Sequence, residues 1–276
     1  MIRAVLLAMA LPGVGMAEPA SRVVSLGGSV TEIAAALGAM SRLIARDTTS
    51  GYPAAVLELP DIGYIRALNA EGVLALGPDL ILSEAGAGPA EAVDVLRAAG
   101  VRFVQVPGDP TPAGVLDKID AVAAALDLTQ AGAALRAEVA GALEAAQARS
   151  ASVGTRKRVL FVLALQSGRV MAGGQGTPAE GILQLAGADN AAAGFTGWKQ
   201  MTDEAVIAAA PDVILMMDRG GDLAVTEADV AAHPALSQTP AGQAGRVMRM
   251  DGMLLLGFGP RTPQAAQALH AQLYGG

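Results

Sequence analysis

Apolar residues follow two different spacings in the first part of the chain. Short apolar runs bounded by glycine, proline or polar residues are typical of buried strands, whereas apolar residues at every third or fourth position indicate helices. The pattern predicts strands at 22–26, 43–46, 80–83 and 102–106 and helices at 32–37, 70–76 and 89–99. Strands that alternate with helices favour a parallel sheet covered by helices on both faces. We expect the hydroxyl of Ser29 or Thr31 to cap the first helix.

The second half of the chain repeats this plan. Glu71 to Leu82 reads Glu-Gly-Val-Leu-Ala-Leu-Gly-Pro-Asp-Leu-Ile-Leu, and Glu204 to Leu215 reads Glu-Ala-Val-Ile-Ala-Ala-Ala-Pro-Asp-Val-Ile-Leu. Further strands are predicted at 158–165, 170–172, 213–217 and 246–250, followed by a helix at the end of the chain. An internal repeat of this kind predicts two similar α/β lobes.

The region between the two halves has a purely helical spacing. Its apolar residues recur every three or four positions, at Val115, Ile119, Val122, Leu126, Leu135, Val139 and Leu143. We interpret this region as one long helix over 113–150, which at ~1.5 Å per residue spans on the order of 50 Å and joins the lobes as a rigid rod. This helix is expected to be loosened near 127–129. The alternative is two helices of an ordinary bundle.

The beginning of the chain has the pattern of an export signal. Arg3 supplies a positive charge, residues 4–11 form a short apolar run, and Gly15-Met16-Ala17 is a small-x-small cleavage site. A single-span anchor is the alternative, although the apolar run is shorter than the ~20 residues that span a bilayer. We therefore expect a soluble periplasmic protein.

Together these patterns predict an α/β fold of two Rossmann-like lobes, each a parallel sheet flanked by helices, joined by a single long helix. The expected organisation is a signal peptide at 1–17, an N-terminal lobe at 18–112, the connecting helix at 113–150 and a C-terminal lobe at 151–276. Two lobes on a stiff hinge form a cleft that can hold a ligand.

Composition excludes several classes of function. The chain is 52% hydrophobic and 16% charged with a net charge of −7, which excludes a disordered protein and disfavours nucleic-acid binding. It contains no cysteine, so structural disulfides, zinc–thiolate sites, iron–sulfur clusters and a lipid on cysteine are all excluded. Its two histidines are far apart in sequence, which disfavours a histidine-based metal centre.

The segment 61–71 carries the most distinctive candidate for chemistry. It places Tyr64, one of only three tyrosines, in a loop between Gly63 and Arg66. Arg219 follows a strand of the second lobe, and ligands of open α/β sheets bind at the carboxyl ends of strands, so Tyr64 and Arg219 are expected to face each other across the cleft. The alternatives are a tyrosine that packs on the surface of its own lobe and an arginine that is an exposed loop charge.

Five motifs carry a resemblance to a known family. They are Val24-Ser25-Leu26-Gly27-Gly28 with Thr31-Glu32, Thr49-Ser50-Gly51-Tyr52-Pro53, Gly63-Tyr64-Ile65-Arg66, Met217-Asp218-Arg219-Gly220 and Leu255-Leu256-Gly257-Phe258-Gly259-Pro260-Arg261. The chain resembles the periplasmic haem-binding proteins of bacterial haem ABC importers, within the long-helix class of substrate-binding proteins. The two-lobe plan is shared with vitamin B12 and siderophore binders, and the Gly-Tyr-x-Arg segment is the part that points to haem.

This resemblance implies that Tyr64 is the axial ligand of a ferric haem b. It also implies a surrounding set of pocket residues, for which the candidates are Arg219, Arg66, Tyr52, Gly27, Met217, Met253, Phe258 and Trp198. A free phenol has a pKa near ~10 and binds iron well only as a phenolate, a form that ferric iron and a nearby guanidinium both favour. Some relatives use a histidine for a second, stacked haem, but His233 and His270 are expected to lie outside the cleft, so one haem is expected.

Glu71 and Glu204 are the second candidate pair. They occupy equivalent positions at the starts of equivalent helices, where the helix dipole stabilises a carboxylate. In the related B12 binder, glutamates on the rim of each lobe dock onto arginines of the permease, which implies the same role for this pair. Stabilisation of the helix alone is the other interpretation.

Other functions remain as alternatives at this stage. No catalytic constellation is visible, so we expect a binding protein and not an enzyme. A cobalamin or ferric-siderophore binder of the same fold is the main alternative, although the low aromatic content argues against it. A haem scavenger without a transporter would have the same site, and only the glutamate pair separates it from an importer component. The expected partners are haem and an ABC permease dimer, and the protein is expected to be a monomer.

Overall fold

Each half of the chain builds one sheet. The computed structural model describes residues 19–218 and 225–275. In the first half four parallel strands pair in the order β2-β1-β3-β4. The strands are β1 (Val23–Leu26), β2 (Leu43–Arg46), β3 (Leu80–Glu84) and β4 (Arg102–Val106). Three helices connect them, α1 (Gly28–Ala36), α2 (Ala70–Ala75) and α3 (Ala90–Ala98), and 3₁₀ turns span Met40–Arg42 and Ala54–Glu58. The predicted parallel sheet is confirmed. The predicted signal peptide at 1–17 lies outside the described residues.

The start of α1 differs from the prediction. The helix begins at Gly28 without a side-chain cap, because Gly27 has a φ of 112°, which glycine adopts readily. Thr31 lies inside the helix, and its hydroxyl bonds those of Ser25 and Ser50 at 2.7 and 2.6 Å. Ser29 donates instead to Glu84 at 2.9 Å. These hydroxyls link neighbouring strand ends, and neither Ser29 nor Thr31 caps α1.

The second half builds a mixed sheet of strands in the order β10-β9-β5-β6-β8, with β7 beside β5. The strands are β5 (Arg158–Gln166), β6 (Arg169–Gly173), β7 (Asp189–Asn190), β8 (Trp198–Met201), β9 (Val213–Asp218) and β10 (Val247–Asp251). β6 runs antiparallel to β5 because Ser167 and Gly168 both have positive φ, 51° and 73°, as a two-residue hairpin turn requires. A wholly parallel sheet had been expected in this lobe, and the antiparallel pairing of β6 corrects that expectation.

Helices cover the second sheet. They are α6 (Pro178–Leu185), α7 (Asp203–Ala209), α8 (Glu227–Ala232), α9 (Pro240–Gln243), α10 (Gly252–Leu256) and α11 (Thr262–Tyr274), with a 3₁₀ turn at Leu236–Gln238. Among the described residues, no helix combines the length and apolar character that a membrane crossing requires. The largest apolar cluster is continuous through both halves, and includes Val23 and Ile33 of the first lobe and Val213 and Leu269 of the second.

The predicted repeat corresponds to an equivalent anchor in each lobe. The Asp79 carboxylate accepts the backbone N–H of Arg22 at 3.0 Å, and the Asp212 carboxylate accepts that of Arg158 at 2.9 Å. The Arg22 side chain also donates to the Gly77 carbonyl just after α2, and the Arg158 side chain donates to the Ala209 carbonyl at the end of α7. Burial acts to raise the pKa of Asp79, but hydrogen bonds from Ser21 and Arg22 outweigh it and hold the pKa below its ordinary value.

The connecting region corrects the prediction of one helix over 113–150. Two helices form instead, α4 (Pro112–Ala125) and α5 (Thr129–Ala151), because Asp127 takes a left-handed φ of 57° and ends the first. The two helices pack side by side, since an added Cβ on Gly132 would collide with Ala123 and Arg136 pairs with Asp120 at 3.0 Å.

Because of the break at Asp127, the two helices pack against different lobes. α4 contacts α1 and β4 and so belongs to the first lobe, whereas α5 contacts α6 and α11 of the second. The connecting helix is therefore α5 alone, and the two-helix alternative was the better interpretation of 113–150. The predicted fold class, two α/β lobes with a connecting helix, is confirmed.

Candidate ligand-binding site

The carboxyl ends of β1, β2 and β3 lie against the segment that follows β10. A Cβ on Gly28 would collide with the Met253 methyl group and with the Thr49 carbonyl, so the chain segments of the two lobes touch at this glycine. Lys118 of α4 donates to the Gly257 carbonyl at 3.2 Å. The strand ends of the first lobe thus form one wall of an inter-lobe region, as expected for ligand sites in open α/β sheets.

The loop that carries Tyr64 is anchored on both sides of the tyrosine. Ile65 and Leu68 are buried in the apolar cluster beneath the loop. The Leu68 N–H donates to the Gly88 carbonyl at 2.8 Å, and the Gly88 N–H donates to the Ile65 carbonyl at 2.9 Å. Gly63 has a φ of 93°, which turns the chain immediately before the tyrosine and favours glycine there. The Tyr64 side chain remains 44% exposed. Local sequence therefore fixes the backbone and leaves the phenol accessible.

Arg66 gives the Tyr64 phenol a cationic partner. Its Nη1 donates to the phenol oxygen at 2.7 Å, and its guanidinium carbon lies 5.9 Å from the ring centroid. Both side chains are exposed. A hydrogen bond from a cation stabilises negative charge on an oxygen more strongly than one from a neutral donor. The pair can therefore present a phenolate to a Lewis acid.

A second tyrosine, Tyr52, contacts Arg261 across the lobe boundary. Arg261 was not among the pocket residues expected from the sequence. The guanidinium of Arg261 stacks 3.6 Å from the Tyr52 ring centroid. The same guanidinium pairs with Glu32 at 2.9 Å, and the Arg261 N–H donates to that carboxylate at 3.1 Å. Tyr52 is 47% exposed, and together with Arg261 and Met253 it lines a small pocket of about 10 Å³. Arg261 stood in one of the five motifs, which was the only signal for it.

Lys118 is a further residue that sequence reasoning missed. It is 1% exposed, donates to Ser29 at 2.9 Å and forms an ion pair with Glu84. In sequence it is one polar residue on a helix, where an exposed position is the usual expectation. Only the tertiary structure reveals its burial between the lobes.

Three of the other candidates lie together beside this boundary. Gly27 precedes α1, and a Cβ there would collide with Glu84. Met253 contacts Gly28, and the Met217 sulfur lies close enough to Gly252 that a Cβ would come within 2.9 Å of it. Both methionines are half-buried. They offer an apolar surface next to the strand ends of the first lobe.

Two of the expected apolar wall residues are located elsewhere. Phe258 is 2% exposed and belongs to the apolar core, where its ring packs against Gly181, so it supports the boundary from below. Trp198 is on β8, at the opposite edge of the sheet from β10 and Met253. Four strand spacings of about 4.8 Å separate the two edges. The tryptophan stacks edge-on with Phe161 at 5.8 Å and does not join the methionines.

Arg219 lies outside the described residues, so its expected position opposite Tyr64 stays a prediction. Glu71 and Glu204 are the second residues of α2 and α7, which agrees with their predicted equivalence, and both are exposed. The pKa of Glu204 is held below its ordinary value by a hydrogen bond from its own backbone N–H and by the Thr202 hydroxyl. Both carboxylates are therefore available on the surface.

Two α/β lobes, a connecting helix and the contact between Tyr52 and Arg261 at the lobe boundary are the features of a two-lobe binding protein. The chain belongs to the periplasmic binding protein family, whose model matches residues 23–254. That family consists of binding proteins, in agreement with the expectation that the chain is not an enzyme.

Proteins of known structure refine this class. The chain is 42% identical to the periplasmic heme-binding protein BhuT, solved in complex with two hemes, with a TM-score of 0.86 over 91% of this chain and 97% of that one. It is 36% identical to the periplasmic heme-binding protein RhuT from Roseiflexus sp. RS-1, with a TM-score of 0.87 over 92% and 98% of the two chains. The predicted resemblance to periplasmic haem-binding proteins is confirmed.

A curated relative extends the comparison. The chain is 28% identical over 260 residues to the uncharacterized ABC transporter substrate-binding lipoprotein YvrC of Bacillus subtilis (strain 168). The match covers 93% of this chain and 81% of that protein. Substrate-binding proteins of ABC transporters are thus among its full-length relatives.

Proposed function

We propose that this protein captures ferric haem between its lobes and delivers it to an ABC permease in the inner membrane. The observation that carries the proposal is the exposed Tyr64 phenol, which accepts a hydrogen bond from Arg66 at 2.7 Å on a firmly anchored loop. Haem binding by two full-length relatives of similar structure supports the choice of ligand.

Tyrosine chemistry supports the ferric state. Tyrosinate is a hard, anionic axial ligand with precedent in haem proteins, and it suits Fe³⁺ better than Fe²⁺. Arg66 would donate a charge-assisted hydrogen bond to the phenolate oxygen that binds the iron. The proposed axial ligand is therefore Tyr64, with haem b as the transported molecule and not a resident cofactor.

The remaining pocket candidates have separate proposed roles. Met217 and Met253 offer apolar, polarisable contacts to one face of a porphyrin. Tyr52 contributes a second exposed ring at the lobe boundary. Arg219, which follows β9, is proposed to pair with a haem propionate. Phe258 and Trp198 are not retained as wall residues, because of their positions in the core and on the distant sheet edge.

The hydrogen bonds made by the two histidines favour one haem per protein. His233 is 5% exposed, its Nε2 lies 2.9 Å from the Gly168 carbonyl, and its Nδ1 accepts the Ala235 N–H at 3.1 Å. His270 uses Nδ1 to bond the Ala186 carbonyl at 3.0 Å. Neither imidazole is placed as a ready second axial ligand. We propose single-haem binding, although BhuT was solved with two hemes.

Delivery requires a docking surface on each lobe. We propose that Glu71 and Glu204 dock onto basic residues of the permease dimer, one on each subunit. The hydrogen bonds that lower the pKa of Glu204 favour the charged form of its carboxylate. The protein is proposed to act as a soluble periplasmic monomer. It has no cysteine that could carry a lipid, in contrast to the relative named a lipoprotein.

An absorption titration with ferric haem tests the ligand and its anchor together. The variants Tyr64→Phe and Tyr52→Phe each remove one phenol oxygen from an exposed tyrosine and leave the ring in place. We expect wild-type protein and Tyr52→Phe to saturate at one haem per chain with a high-spin tyrosinate spectrum. Tyr64→Phe should lose that spectrum, because no phenolate remains to coordinate the iron.

The other outcomes separate the alternatives. A wild-type spectrum in Tyr64→Phe would move the axial ligand to another residue while haem binding stands. The absence of saturable haem binding by wild-type protein would refute the haem proposal. Parallel titrations with cobalamin and a ferric siderophore would then identify which related ligand class the cleft accepts.

Vesicles that contain the reconstituted permease test the docking surface. The double variant Glu71→Lys and Glu204→Lys should lose haem delivery at unchanged haem affinity, because like charges would then oppose each other at both contacts. Glu91→Lys with Glu227→Lys is the matched control, since these exposed glutamates also lie in the first turns of helices. Equal delivery by the two double variants would contradict the docking role.

A further inference from the structure

The segment that leads into Tyr64 is joined to the end of β2 by an unusual number of hydrogen bonds. Its backbone bridges Arg46, because the Arg46 N–H donates to the Pro60 carbonyl at 3.0 Å and the Ile62 N–H donates to the Arg46 carbonyl at 3.0 Å. The tyrosine loop therefore continues the edge of the sheet for a short distance before it turns away.

The Asp61 carboxylate then fixes the turn itself. Its Oδ1 accepts the Gly63 N–H at 2.9 Å and the Thr48 hydroxyl at 3.1 Å. The Thr48 N–H donates in turn to the Gly63 carbonyl at 3.0 Å. Both polar groups of the Gly63 backbone are thus held from outside the turn, immediately before the tyrosine. Such constraints reduce the range of directions in which the next side chain can leave the backbone.

Arg46 holds the other oxygen of the same carboxylate. Its Nη1 lies 3.0 Å from Asp61 Oδ2 and also donates to the Asp47 carbonyl at 3.2 Å. The Arg46 side chain is 11% exposed and that of Asp61 is 38% exposed, so water screens the pair from the carboxylate side only. The Asp47 carboxylate accepts the Gly27 N–H at 2.9 Å. One continuous network therefore joins the tyrosine turn to the first strand end of the lobe.

We propose that Asp61 and Arg46 are positioning residues that aim the Tyr64 phenol at the haem iron. The inference rests on the proposed function, in which Tyr64 is the axial ligand. Among the residues that the structure describes, the phenol oxygen is hydrogen-bonded by Arg66 and by neither of these two. Residues that orient a metal ligand commonly change metal affinity by about ten- to a hundredfold when they are removed.

The test compares Asp61→Ala and Asp61→Asn with Asp79→Asn in ferric haem titrations and electron paramagnetic resonance spectra. Asparagine retains an oxygen for the Gly63 N–H but loses the ion pair with Arg46, whereas alanine removes both. Asp79 is the matched control, since it accepts backbone N–H groups near the opposite end of the same sheet. Thermal unfolding of each protein records the general loss of stability.

We expect Asp61→Ala to bind haem about tenfold more weakly, with a broadened high-spin signal and a shifted phenolate-to-iron charge-transfer band. Asp61→Asn should lie between alanine and wild type, and Asp79→Asn should be less stable with an unchanged haem spectrum. A wild-type spectrum and affinity in Asp61→Ala would overturn the inference. So would a loss of affinity in Asp79→Asn equal to that in Asp61→Ala, because a general structural role would then suffice.

Failure of the proposed function gives a different result. In that case wild-type protein shows no saturable haem binding, or Tyr64→Phe retains the wild-type haem spectrum because another residue is the axial ligand, and the positioning role falls with either result. If the positioning role alone fails, Tyr64→Phe loses the tyrosinate spectrum while Asp61→Ala keeps it. Should Asp61→Ala not fold, Asp61→Asn decides the question by the same spectral criteria.

Discussion

Arg66 contacts Tyr64 through both the phenol oxygen and the ring, from a position two residues further along the loop. Because the charged donor points at the atom proposed to bind iron, its main effect should be on the anionic form of the phenol. A glutamine at position 66 could still donate a hydrogen bond but would carry no charge. The comparison therefore isolates the electrostatic part of the contact.

We predict that Arg66→Gln weakens ferric haem binding by about tenfold, or roughly 1.4 kcal/mol, because the phenolate loses a charge-assisted partner. Haem titration measures the effect. Arg102→Gln is the matched control, since Arg102 is an exposed arginine at the amino end of β4. If Arg102→Gln weakens binding equally, the effect would be one of overall charge and not of the contact with Tyr64.

At the residue scale, sequence reasoning found the residues with a local signal. Tyr64 stood out because tyrosine is rare in the chain and because glycine and arginine flank it. No comparable local pattern pointed to the roles of Lys118, Glu32 and Arg261, because the partners of these residues lie far away in sequence. The importance of such groups depends on which surfaces meet in three dimensions, and residue spacing does not encode that.

At the scale of elements, the packing of α4 against α5 depends on one glycine. Gly132 lies where the helices approach most closely, and any side chain there would press on Ala123. Gly141 is in the same helix but faces open space. The two glycines therefore allow the helix contact to be separated from the intrinsic helix preference of glycine.

We predict opposite effects on stability at these positions. Gly132→Ala should lower the free energy of unfolding by about 1–3 kcal/mol, because the added methyl group overpacks the helix contact. Gly141→Ala should raise it by about 0.5–1 kcal/mol, since alanine favours an exposed helix position over glycine. Urea denaturation measures both values. Stabilisation by both substitutions would mean that α4 and α5 are not tightly packed in solution.

The elements themselves were largely predictable. Strand positions followed from short apolar runs and were correct to within a residue or two at most ends. The long helix was not, because its apolar spacing continues across Leu126 and Leu128 while the backbone reverses at Asp127. A helical pattern records which residues are buried, and two packed helices bury the same kinds of residues as one.

At the scale of the whole molecule, Lys118 and Arg261 hold the lobes together beside the proposed haem site. Arg261 of the second lobe pairs with Glu32 of the first, whereas Lys118 pairs with Glu84 inside the first lobe. Lys118 also reaches the Gly257 carbonyl of the second lobe. A buried ion pair resists separation because an unpaired charge in the interior is costly. Such contacts favour small relative movements of the lobes.

We predict that Lys118→Met lowers the free energy of unfolding by about 3 kcal/mol, because Glu84 is left without its buried cation. Arg136→Met is the matched control, since it breaks the exposed pair with Asp120 on the same helix pair and should cost less than about 1 kcal/mol. Urea denaturation of the two variants provides the comparison. Equal effects would show that Lys118 is not buried between the lobes in solution.

The same cross-lobe contacts have a consequence for the order in which the molecule is completed during synthesis. Glu32 emerges from the ribosome long before Arg261, its partner 229 residues later. Contacts so distant in sequence form late and slow the folding of the whole chain. We expect a fragment that ends before Gly257 to remain sensitive to protease where the full chain resists. We expect this delay to favour export of the chain across a membrane before it has folded.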